Sequence, residues 1–146
     1  MTSPAAADLD RFVKAQEGIY AMALAELKAG EKRTHWMWFI FPQMQGLGQS
    51  AMARTYGIGS RAEALAYLGH PLLGERLAAC TIAMLAVEGR SARAILGSPD
   101  DLKFCSSMTL FAACSAPGSL YHQALERYFG GSPDPKTLAL LESLRG

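Results

Sequence analysis

Residues 34–43 read THWMWFIFPQ. Two tryptophans, two phenylalanines, a methionine and an isoleucine stand here between a histidine and a Pro-Gln step, and the conformation of the run decides between two folds. As a strand it would feed residues 46–51, GLGQSA, which match the Gly-x-Gly-x-x-Ala turn of a dinucleotide-binding unit. As a helix it would belong to an all-α domain. Aromatic residues and isoleucine favour a strand, yet an unbroken apolar run does not by itself separate a buried strand from a buried helix. The rest of the chain decides: no second period-two run offers a partner strand, and no acidic residue follows at the end of one. We therefore expect a helix capped by Thr34 and ended before Pro42.

On the N-terminal side, Leu9, Phe12, Tyr20, Ala23, Leu24 and Leu27 recur mostly at helical spacing. They predict one helix over residues 8–29, with Asp8 as N-cap and Gly30 as the stop. On the C-terminal side, residues 50–56 read as a short helix, and residues 60–68 open with Ser60 and Glu63 at capping-box spacing. Pro71 and Gly89 bracket an apolar helix expected at the centre of the core. Ser91 begins a short helical turn closed by Gly97. Ser98 as N-cap and Pro99 at the first helical position begin the next helix, with Asp100 and Asp101 against its positive end. Residues 120–129, ended by Gly130 and Gly131, and 135–144, opened by Asp134, complete about eight helices. The expected fold is all-α, one compact multi-helix bundle over residues 1–146, with residues 1–7 as a disordered tail.

With 146 residues, half of them apolar, the chain can bury a core without disulfides or metal staples. Its formal net charge is +1 with the charges interspersed, which speaks against disorder and against a polyanion-binding surface. The nearest basic cluster, Lys28, Lys32 and Arg33, is diluted by Glu26 and Glu31, so no nucleic-acid partner is expected. Cys80, Cys105 and Cys114 are an odd number without a close pair, as suits buried thiols in a reducing cytosol. No run approaches the roughly 18 apolar residues of a membrane span, and the N-terminus lacks a basic segment followed by an apolar one. We expect a cytoplasmic protein without membrane association. His70, before Pro71, and His122, on a late helix, have no ligand company at metal-binding spacing, so neither a metal nor a cofactor is expected.

Chemistry concentrates in two stretches. His35 borders the aromatic run and has Lys32 three residues before it; an ammonium and an apolar wall would favour a neutral imidazole able to act as base or donor. A helix-start histidine satisfied by the backbone is the alternative. Trp36 and Trp38, two apart, point to opposite sides of a helix, so one should be core and the other could line a cleft, with the Gln43 amide at its edge. In residues 100–111, DDLKFCSSMTLF, a helix would put Asp100, Lys103 and Ser107 on one side with Ser106 near. Lys103 and Ser107 could form a Ser-Lys nucleophile pair, or the serines could simply bond back to their own helix. Without a strand before it, GLGQSA reads as a plain inter-helix loop or as a turn whose N–H groups, with Ser50, meet an anion.

The blocks GEKRTHWMWFIFPQMQGLGQS, YLGHPLLGERL, ILGSPDDLKFCSSMTLF and YFGGSPDPKTL together resemble the bacterial family known as domain of unknown function eighteen-ten, across nearly the whole chain. The resemblance implies a compact all-helical single domain and no established activity. Members often carry the label calpastatin, which would mean a largely disordered calpain inhibitor; this apolar, cap-punctuated sequence contradicts it. The same blocks carry the candidate site: Lys32, His35, Trp36, Trp38, Gln43, Arg76, Asp100, Asp101, Lys103, Ser106 and Ser107. Arg76 would meet a carboxylate or phosphate, or else pair with Asp100 or Asp101. Two function classes follow. The preferred one is a site for a compact anionic metabolite, nucleotide-like or ADP-ribose-like, with Lys32, Arg76 and Lys103 holding charge, Trp38 stacking and His35 moving a proton. The other is a non-enzymatic interaction module, or a homodimer rather than a monomer, with residues 35–41 as its hot spot.

Overall fold

The computed structural model describes residues 9–143, and among them it contains ten helices and no strand. They are α1 (Asp10–Gln16), α2 (Tyr20–Lys28), α3 (Met37–Ile40), α4 (Ala51–Tyr56), α5 (Arg61–Gly69), α6 (Leu73–Ala86), α7 (Ala92–Leu96), α8 (Asp100–Ala113), α9 (Leu120–Phe129) and α10 (Pro135–Ser143). The all-α expectation holds. No helix among the described residues is long and apolar enough to cross a membrane.

Two fourteen-residue helices, α6 and α8, organise the fold. Helix α6 packs against α2, α3, α5 and α9, and α8 packs against α5, α7, α9 and α10, so α5 and α9 bridge the two halves. The core between them is aromatic. Phe12, Trp36, Phe41, Tyr67, Phe104 and Phe111 are fully buried, and Phe41 meets Phe104 edge-on at 4.9 Å while Phe12 meets Tyr67 at 5.2 Å.

Serine hydroxyls cap four starts: Ser50, Ser60 and Ser91, where the sequence puts a helix start, and Ser119, which it did not single out, each accept the N–H three residues on. Elsewhere the boundaries differ for local reasons. The single helix expected over 8–29 is two, because Gly18 takes a φ of +72° and Glu17 turns extended. Asp8 as cap, the tail 1–7 and Leu144 lie outside the described residues. Ser98 does not cap α8; Pro99 occupies the cap position and Asp100 is the first helical residue. Before α6, His70 Nδ1 accepts from the N–H groups of both Leu72 and Leu73 at 3.1 Å, so an imidazole caps where Pro71 was expected to begin the helix. Glu63 reaches the N–H of Gly59 at 2.7 Å, one residue before the capping-box partner, while its other oxygen takes Arg11 at 2.9 Å. Arg11 also donates to the carbonyls of Thr55 and Gly57, tying α1 to the α4–α5 loop.

The aromatic run is helical only for the one turn of α3. Thr34 does not cap it. Residues 30–36 run without regular backbone pairing, and Glu26 supplies what the backbone lacks. Its buried carboxylate accepts from Arg33 N–H at 2.7 Å, Thr34 N–H at 3.1 Å, the Thr34 hydroxyl at 2.7 Å and Trp36 Nε1 at 2.9 Å. Burial pushes this carboxyl up, but the four donors together outweigh it and hold it down at about 2. Beyond α3, Gln45 N–H donates to Ile58 and Ile58 N–H to Gln43, fastening the turn after Pro42 to the start of α5.

Glu26→Ala removes an ionised acceptor from buried donors and is expected to lower stability by about 3 kcal/mol at neutral pH, or roughly 6–12 °C in Tm. Because the folded carboxyl lies near 2 rather than an ordinary 4.5, its contribution is complete above about 4.5 and fades as pH falls toward 2. Denaturant titrations across that window should therefore show wild type and variant converging; a gap independent of pH would refute the assignment.

Candidate functional site

Helix α8 carries Asp100 and Lys103 one turn apart, and the extended run before α3 brings Lys32 to the same carboxylate. Lys32 Nζ lies 3.0 Å from Asp100 Oδ2, and Lys103 Nζ lies 3.6 Å from Asp100 Oδ1. Each ammonium also sits over an indole: Lys32 at 5.2 Å from the Trp36 ring centre, Lys103 at 4.7 Å from that of Trp38. Two Lys–Trp pairs thus share one carboxylate. Lys32 is 8% exposed in its side chain and Lys103 27%, so the inner pair is part of the core and the outer one reaches solvent. The tryptophans divide in the same way, Trp36 fully buried and Trp38 half-buried.

Lys103 and Gln43 stand between two concavities. One is a cavity of about 10 Å³, bordered also by Met37, Trp38, Phe41 and Tyr56, near the space of a single water. The Trp38 Nε1–H is buried and has no hydrogen-bond partner among the described residues. The other is an open groove of about 610 Å³. Its floor is the face of α8 with Pro99, Leu102 and Ser106; one wall is the turn with Gln43, Leu47 and Gly48, and the other is Phe129 with residues 132–136. The far wall is held by Asp134, which accepts from the Ser106 hydroxyl at 3.0 Å and from the Thr137 N–H and hydroxyl, while its own N–H donates to Thr109. Cys105 lines the groove as well, and burial, then the Asp134 charge, push its thiol up. Cys114 is also pushed up by burial, and Cys80 to about 12, so none of the three is a ready thiolate.

Of the residues singled out from sequence, Lys32, Trp36, Trp38, Gln43, Asp100, Lys103 and Ser106 meet around this corner. The others do not join them. His35 is exposed and borders neither concavity, so no apolar wall shields its imidazole. Arg76 lies over Tyr20 at 4.6 Å and donates to Gln16 at 3.2 Å, in a network that continues to Tyr67 and the Phe39 carbonyl; it pairs with neither Asp100 nor Asp101. Asp101 is half-buried with one oxygen unpartnered. Ser107 is fully buried and its hydroxyl bonds neither Lys103 nor its own helix, so the Ser-Lys pair is not assembled. The Ser106 hydroxyl also lies 3.2 Å from the Leu102 carbonyl, so its one O–H is shared between that back-bond and Asp134.

The glycine turn also differs from a nucleotide loop: no strand precedes it, and the Ala53 N–H, one of the donors an anion would meet, is already capped by the Ser50 hydroxyl oxygen. A Cβ on Gly48 would lie 2.6 Å from that of Ala53, so the glycine serves packing of the turn on α4. Nor does the aromatic run present a flat apolar patch. Trp36, Met37, Ile40 and Phe41 are buried, and the exposed large apolar side chains, Met22, Leu65, Ile82, Leu102 and Leu138, lie elsewhere. Asp134, Lys136, Phe129 and Leu102 were not anticipated as groove residues; Asp134 was legible only as a helix cap, and no spacing signals its meeting with Ser106 across 28 positions.

The chain belongs to the family described as protein of unknown function (DUF1810), whose model matches residues 6–141. It is similar to the conserved hypothetical protein Rv1873 from Mycobacterium tuberculosis, known from a crystal structure, at 53% identity and a TM-score of 0.91, covering 92% of this chain and 96% of that one. No curated protein matches the chain.

Asp100→Ala leaves the buried Lys32 ammonium beside a second ammonium with no counter-charge, and a loss of about 2–3 kcal/mol is expected on denaturant titration. Lys103→Met, at the wetter end of the relay, should change stability by less than about 1 kcal/mol. Ser107→Ala removes an unpaired buried hydroxyl and should leave Tm unchanged or slightly raised; a marked fall would mean that this oxygen has a partner.

Proposed function

We propose that the α8 groove is a binding site for a compact anionic metabolite, nucleotide-like or ADP-ribose-like, with Lys103 as its anion contact. One observation carries the reading. Asp100 already neutralises Lys32 at 3.0 Å and is shared with Lys103 at 3.6 Å, so two cations face one anion and the surplus charge lies on the lysine that reaches the groove. Gln43 beside it can donate or accept. The groove volume falls within the range of small-molecule sites, roughly 300–1,000 Å³.

The Trp38 face at Lys103 is covered by the ammonium, so this indole supports the lysine and a ligand ring must rest elsewhere. The protonated Cys105 thiol and the hydrogen-bonded Asp134 carboxylate support a binding rather than a nucleophilic role for these two groups. A cytoplasmic setting, as monomer or homodimer, belongs to the same reading; free thiols among the described residues suit a reducing compartment.

A thermal-shift screen with pyrophosphate, mononucleotides and phosphorylated sugars tests it, since a ligand of the native state raises Tm, by about 2.7 kcal/mol of stability at a hundred times Kd. The response should shrink with salt and vanish in Lys103→Met, while His35→Ala, outside the groove, keeps it. An undiminished response in Lys103→Met overturns the reading.

A further inference from the structure

Resting on that reading, we infer that the ligand of the groove carries a flat ring as well as its anionic group, with the anion at Lys103 and the ring across Leu102 against the far wall. The groove is chemically lopsided. At about 100° per residue around α8, Lys103 marks one edge, Ser106 and Leu102 follow across the floor, and Cys105 marks the other edge. The Lys103 edge adjoins Gln43 and holds the surplus positive charge.

The far edge is different. Phe129, Pro133 and Pro135 line it, and its two charged residues, Asp134 and Lys136, are of opposite sign, so that wall offers no net charge to a second anion. Between the edges Leu102 is 62% exposed, the most exposed of the large apolar side chains among the described residues. A bare anion would leave that leucine and this apolar lining uncovered; a planar body joined to the anion covers them and adds apolar burial to the charge contact. Ring and charge therefore belong to one molecule, of the class of a nucleoside monophosphate.

Three probes separate the parts: adenosine monophosphate has ring and phosphate, ribose 5-phosphate has the phosphate without the ring, and adenosine has the ring without the phosphate. Isothermal titration of the full chain should show the monophosphate binding at least about tenfold more tightly than either fragment. Leu102→Ser, at an exposed position that leaves the fold intact, should weaken the monophosphate by about three- to tenfold and leave ribose 5-phosphate unchanged. Ribose 5-phosphate binding as tightly as the monophosphate, or a Leu102→Ser variant that binds the monophosphate like wild type, overturns the ring while the anion site stands. Adenosine binding as tightly as the monophosphate overturns the anion contact on which the inference rests. Failure of all three at millimolar concentration overturns both.

Discussion

Everything around the groove depends on one buried carboxylate. Glu26, at the end of α2, gathers two backbone N–H groups, a hydroxyl and an indole N–H from residues 33–36, a run with too little regular structure to satisfy itself. That clasp sets where Trp36 enters the core, and Trp36 sets where Lys32 can lie. Lys32 then fixes Asp100, and Asp100 fixes Lys103. The same device recurs twice. Glu63 takes Arg11 and Gly59 N–H, and Asp134, itself in the irregular stretch before α10, takes Ser106 and Thr137, so each irregular stretch is anchored through a carboxylate. An ionised acceptor makes the stronger class of hydrogen bond, which suits segments that lack the cooperativity of a helix.

Much of the fold was legible because helix ends are written locally. A serine before a helical run and a glycine after it act through groups within three or four residues, so the boundaries of α4, α5, α7 and α9 could be read directly. The aromatic run could not be read in that way. Its apolarity indicated burial correctly, but its backbone is shaped by a glutamate eight to ten residues earlier, and such a contact leaves no periodic trace. The break at Gly18 is of another kind: the apolar spacing runs through it, and only the positive φ of one glycine turns the chain.

The site shows the same division. Spacing on α8 put Asp100 and Lys103 on one side, and the two-residue offset of Trp36 and Trp38 separated a core indole from a half-exposed one. Spacing also grouped Ser107 with them, yet that hydroxyl is turned into the core, since residues seven apart on a helix share a side but need not share an environment. Arg76 and His35 were selected for their chemistry and their company in sequence. Tyr20 and Gln16 claim the one, and solvent the other. The far wall of the groove comes from the C-terminal helices, and only the assembled chain brings it to α8.

The unequal surroundings of the two indoles have an optical consequence. Trp36 is sealed in the core with its N–H on a carboxylate, whereas Trp38 lies beneath the ammonium that borders the groove. Emission from the first reports on whether the chain is folded. Emission from the second follows the position of a single charge at the groove edge, beside a built-in reference for integrity.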